Sequence, residues 1–155
     1  MKLVRILALL VLVAGVAAVV IGGVFISQGI AKNNIIVDRM NVEKVSIALD
    51  PENPNVFTAV NDSADAQAAA DIIATHRRNI APTYQDLLKG GRFNSANTTH
   101  LTYAQAMNLE NYLYMAVTAF GLIQVTIANG AFMIIIGLAI GGAGFALYRV
   151  AGKQA

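Results

Sequence analysis

Two long stretches of this chain carry no charge. After Arg5 the next charged residue is Lys32, and after Glu110 the next is Arg149. A hydrocarbon core about 30 Å thick is crossed by roughly 20 apolar helical residues, and both stretches are long enough. The pattern predicts a mainly α membrane protein, a two-helix transmembrane hairpin with a small, mostly helical extracytoplasmic segment. Residues 6–26 meet the length requirement of a first span without surplus. Asn111 to Tyr148 exceeds it, because a single helix of that length runs roughly 57 Å. The last helix is therefore expected to start in water and to enter the bilayer near Ala119 to Leu122. Residues 27–119 then lie outside, 120–148 form the second span and 149–155 a short tail.

The distribution of the remaining charge sets the orientation. Lys2, Arg5, Arg149 and Lys153 sit near the ends, whereas every acidic residue falls between Asp38 and Glu110. Cations flanking membrane spans favour the cytoplasmic side, so both termini are expected there, in the inner membrane of a bacterium. The net charge of +2 and a pI near 9.0 come from these anchors and do not argue for nucleic-acid binding. A hydrophobic content of 56% with 13% charged residues and a mean hydropathy of +0.57 is far from a soluble domain. Lys2 and Arg5 also resemble the positive start of a signal peptide, with small residues from Ala14 to Ala18. The apolar run continues through Ile26, beyond a usual signal-peptide core of about 7–15 residues, so an uncleaved anchor is expected. The chain has no cysteine. An outer segment this small cannot rely on disulfides and must lean on its own helices, on the membrane surface or on a partner, of which a partner is the expectation.

Along the first span Ala14, Ala18 and Gly22 recur every four residues, hence on one helical face. The second span answers with Gly137 and Gly141. Small residues let helix backbones approach in lipid, so these five positions are read as helix-packing sites, toward the other span or a neighbour. Gln124, Thr126 and Asn129 are the polar residues of the second span and are read as intramembrane contacts, either bonding to another helix or lining a pore. Tyr112, Tyr114 and Phe120 suit the outer interface, and Arg5, Tyr148 and Arg149 the inner one, because amphipathic rings and cations prefer the headgroup zone. Phe120 to Tyr148 measures roughly 42 Å as helix, close to core plus headgroups.

Between the spans, the first helix is expected to continue past Gln28 and to weaken at Asn33-Asn34. Val42 to Leu49 reads as a short strand, Asp50 to Asn55 as a turn, and Val56-Phe57-Thr58 as a strand that pairs back. Asn61-Asp62-Ser63 offers N-cap oxygens to a helix over 64–79 with an alanine-rich side. Pro82 ends it. A short helix follows over 83–88, stopped by Gly90-Gly91. Asn97 or Thr98 can cap the last helix, expected from about His100.

Chemistry is mostly excluded. His76 and His100, with Asp71 and Asp86, show no metal-ligand spacing and are read as solvated or structural. Neither span holds a histidine that could be an axial ligand to a haem, nor a carboxylate of the kind that marks proton pathways. Arg77, Arg78, Lys89 and Arg92 form a small basic cluster, read chiefly as an ordinary helix end and otherwise as a dock for acidic partners or headgroups. Asn61-Asp62-Ser63 and Asn97-Thr98-Thr99 match a glycosylation pattern without meaning in a bacterial chain. No nucleophile elbow, phosphate-binding glycine loop or metalloprotease motif occurs, so no enzyme activity, cofactor, metal or small-molecule substrate is expected.

The alanine-rich stretch Ala64 to Thr75, the Thr83-Tyr84-Gln85-Asp86-Leu87 turn and the helix Thr102 to Gly121 together resemble a loosely defined set of small two-span bacterial membrane proteins of unknown function. The resemblance covers most of the chain and supplies no functional residues. Some members are labelled ring-opening dioxygenases, but the histidine and carboxylate cluster of a non-haem iron site is not in this sequence. The expected role is a non-catalytic accessory subunit of a larger membrane complex, respiratory or photosynthetic. Its partners are the lipid bilayer and other membrane subunits. A self-associating two-span channel or sensor is the alternative.

Overall fold

A computed structural model of the chain describes residues 2–44, 46–48 and 57–153. It contains helix α1 (Lys2–Val42), strands β1 (Ser46–Ala48) and β2 (Phe57–Ala59), and helices α2 (Ser63–Ile80), α3 (Tyr84–Leu88) and α4 (Thr98–Lys153). The chain divides into two compact units. Residues 1–33 and 122–155 form one, called here the helix pair, and residues 34–121 form the central unit. Both long helices contribute to both units.

α1 does not weaken at Asn33-Asn34 but runs unbroken to Val42. Asparagine lowers helix propensity by less than about 1 kcal/mol per residue, and Ile36, Val37 and Met40 pack against the central core. Tertiary burial outweighs the local preference. Val42 therefore ends a helix rather than opening a strand, and Lys44 turns the chain with a positive φ of 51°. The strands that follow pair antiparallel with Ser46 opposite Ala59, Ile47 opposite Thr58 and Ala48 opposite Phe57. The expected turn at Asp50 to Asn55 and the start of the second strand at Val56 lie outside the described residues.

α2 begins at Asp62, whose carboxylate accepts from the backbone N–H groups of Ala64 and Asp65 at 2.8 and 2.9 Å. These are orphan donors of the first turn, so the cap removes a desolvation cost. Asp65 reaches back to the Asn61 amide at 3.1 Å. Ala81, extended before Pro82, closes the helix. α3 is capped by Thr83 and ends at Lys89 in the left-handed region, followed by Gly90 at φ 80°. Asn97 accepts from the amides of Thr99 and His100, so α4 starts at Thr98.

The central unit has a core of buried side chains. Val60, Ala66, Ala69, Ala70, Leu113, Ala116 and Phe120 form its main cluster, and Ala81, Leu87 and Tyr103 a second. The alanines at one side of α2 allow close approach of α4. Tyr103, Phe120 and Val60 are the largest fully buried side chains described.

Candidate functional site, the helix pair and the buried ion pair

The two apolar stretches lie side by side and antiparallel. Their contact runs along Ala8, Leu12, Gly15, Val19, Gly22, Ile26 and Gly29 of α1, with spacings alternating between four and three. On α4 it follows Ile123, Ile127, Gly130, Ile134, Gly137, Gly141 and Gly144 with the same alternation. A mean period of 3.5 is that of a left-handed helix pair. Its repeating elements are Gly15, Gly22 and Gly29 against Gly130, Gly137 and Gly144, each seven apart.

At Gly15, Gly22, Gly130, Gly137 and Gly144 glycine is required by backbone proximity, whereas an added Cβ at Gly29 would meet the Ile127 side chain. A Cβ added to Gly15 would lie 2.5 Å from the Gly141 Cα and 2.6 Å from the Gly137 carbonyl oxygen. One on Gly22 would lie 2.5 Å from the Gly130 carbonyl oxygen, and one on Gly144 2.6 Å from the Leu12 nitrogen. No side-chain rotation relieves such contacts. Gly141 differs, because its added Cβ would find only ordinary contact, 3.7 Å from the Gly15 Cα.

Of the five packing residues read from sequence, the structure brings Gly22, Gly137 and Gly141 into the contact. Ala14 is exposed and Ala18 half-buried, beside the contact line. The close approach follows the period of seven rather than the period of four. Thr126 donates its hydroxyl to the Leu122 carbonyl at 2.8 Å, within its own helix, while Gln124 and Asn129 are exposed with no side-chain bond among the described residues. At the far end Arg5 lies over the Tyr148 ring at 5.9 Å and near Gly152, and Arg149 over Phe145 at 5.3 Å.

In the central unit, Tyr112 projects freely, but Tyr114 donates its hydroxyl to Asp71 at 3.2 Å. Phe120 is not an interface aromatic: it is 1% exposed in the main core, because the alanine side of α2 leaves room for a ring there. Partial burial first, then the Asp71 carboxylate, push the Tyr114 phenol above its ordinary pKa.

The basic cluster is not uniformly a solvated helix end. Arg78, Lys89 and Arg92 are exposed, yet Arg77 turns inward. Its Nε donates to Glu110 Oε2 at 2.6 Å and a terminal nitrogen to Tyr103 Oη at 2.5 Å, with the guanidinium over the Tyr103 ring at 5.1 Å. The side chains of Arg77 and Glu110 are 13% and 9% exposed. The hydrogen bond to Glu110 is the main cause that raises the Arg77 pKa further. This clasp ties α2 to α4. The available signal was the seven-residue spacing of Tyr103 and Glu110, which sets them on one face.

His76 and Asp71 line a shallow groove on α2, and His100 and Asp86 a separate depression near the start of α4. No three metal-ligating side chains come together among the described residues. Comparison of the chain with known family models, curated proteins and solved structures gave no match.

Proposed function

We propose that the chain is a non-catalytic membrane subunit whose spans are the helix pair, with both termini cytoplasmic and residues 27–119 outside a bacterial inner membrane. The observation that carries this reading is the outward face of the pair. Leu10, Val20, Leu122, Ile135 and Leu138 each expose more than half of their surface, while the inward face brings glycine backbone to glycine backbone. In water such a pair would leave its large apolar residues wet. In lipid they are solvated, and association rests on close backbone packing.

An accessory place in a larger complex fits the same surface. The glycine contact holds the two helices close together, and Thr126 spends its hydroxyl within α4. The outward carboxamides of Gln124 and Asn129 are suited to contact with further helices. Purification in mild detergent at native expression, followed by native mass spectrometry, tests this. Co-migration with other membrane subunits is the expected result, and a homogeneous species containing only this chain would defeat it. A reporter fused after Lys153 is expected to be active only in the cytoplasm.

A further inference from the structure

The flanks of the helix pair are not equivalent. An apolar groove of about 270 Å³ lined by Val16, Val20, Leu138 and Gly142 marks one flank. Val16 and Leu138 each stand one residue after a contact glycine. Residues one position before the contact glycines make up the opposite flank: Ala14, Ile21 and Gln28 on α1, with Asn129, Ile136 and Ala143 on α4. Gln28 and Asn129 are exposed there, within about one helical turn of each other along the pair, because Gly29 faces Ile123 and Ile127. Asn129 sits roughly 14 Å along the helix from residue 120, inside the hydrocarbon on the two-span reading, on which this inference rests.

We propose that the Asn129 flank is the seat of a second copy of this chain. A lipid-facing carboxamide has no water to bond and needs a polar partner. Two copies inserted in the same orientation are related by a two-fold axis along the membrane normal, so identical residues meet at identical depth. A carboxamide carries both donors and an acceptor and is therefore its own complement. A dissimilar helix would need a polar group placed independently at that depth. Ala14, Ala18 and Ala143 on or beside this flank permit close approach.

The absence of native cysteine makes single-cysteine variants unambiguous reporters. Ile136→Cys and Ala143→Cys in native membranes, oxidised with copper phenanthroline, are expected to give an adduct of twice the chain mass. Leu138→Cys and Val16→Cys, on the groove flank, are expected to give little. Adding Asn129→Leu to Ile136→Cys is expected to lower the adduct roughly tenfold, and Asn129→Gln to keep much of it. Equal adducts from all four positions, or none from Ile136→Cys and Ala143→Cys, overturn the proposal. An adduct with a different polypeptide overturns it while supporting the hetero-complex reading. Loss of the chain from carbonate-washed membranes defeats the spanning reading itself.

Discussion

The same two helices are held together in two different ways. In the helix pair, backbone meets backbone at the contact glycines, and many of the large apolar side chains, Leu10, Val20, Ile135 and Leu138 among them, point away. In the central unit, contact is made by side chains: Tyr103, Phe120 and Val60 are fully buried and an ion pair bridges α2 and α4. The change falls at 33/34 on α1 and 121/122 on α4. Burying large apolar groups stabilises a fold when the alternative is water. Between helices in lipid it gains little, and what remains is van der Waals contact at short range. The division between units thus coincides with a change in how the two helices pack.

The largest expected break is in the central unit. Arg77→Ala leaves Glu110 buried without its cation, and removing one partner of a buried pair costs about 3–5 kcal/mol. Hydrogen exchange over residues 63–80 should accelerate strongly while residues 8–29 stay as protected as before. Arg77→Ala combined with Glu110→Ala should recover part of the loss, since no uncompensated charge remains. Equal loss in single and double variants would show that the guanidinium acts by packing rather than by pairing.

The helix pair offers a sharper contrast within one unit. Gly15→Ala drives a methyl into the facing backbone and is expected to cost about 1–3 kcal/mol by overpacking. Gly141→Ala, across the same contact, should be nearly neutral, because its Cβ has ordinary room. Thermal unfolding in detergent, read by the far-UV helix signal, compares them directly. Equal effects would mean that the helices do not meet in the register described.

Those two glycines also show what the sequence could reveal. The charge gaps announce both long helices, and Asp62, Pro82 and Gly90 announce α2 and α3 nearly to the residue. The partner-dependent choices were harder. Ala14, Ala18 and Gly22 at a period of four and Gly15, Gly22 and Gly29 at a period of seven are equally visible along α1. Only the facing helix selects between them. Asn33-Asn34 read as a weak point because propensity is local, whereas Ile36, Val37 and Met40 bind a core assembled from distant segments. Arg77 read as a solvated helix end because Glu110, 33 positions on, is invisible locally.

A smaller effect is expected at the N-cap of α2. Asp62→Ala removes the acceptor for the Ala64 and Asp65 amides, and such losses cost about 1 kcal/mol. Asp62→Asn should restore most of it, since the carboxamide oxygen can accept the same bonds. Fraying confined to residues 63–66 in hydrogen exchange is the expected signature; an unchanged profile would assign the capping role elsewhere.

The smallest effect separates the two polar contacts of the central unit by pH. Both Arg77 and Tyr114 have pKa values raised on folding, so each contributes stability that is fully present below its unfolded value and lost as pH rises through the folded one. For Arg77 that window lies far above any working pH, so the clasp gives no slope there. For Tyr114 the window opens above the ordinary phenol value near 10, where the unfolded chain gives up a proton that the folded chain retains. Stability should therefore fall with pH above about 10, and Tyr114→Phe should flatten part of that fall while changing little at neutral pH. Tyr103→Phe removes the hydroxyl that meets Arg77 instead, and is expected to weaken the unit at neutral pH. An alkaline slope identical in wild type and Tyr114→Phe would remove the Asp71 contact from the account of how α2 and α4 are joined.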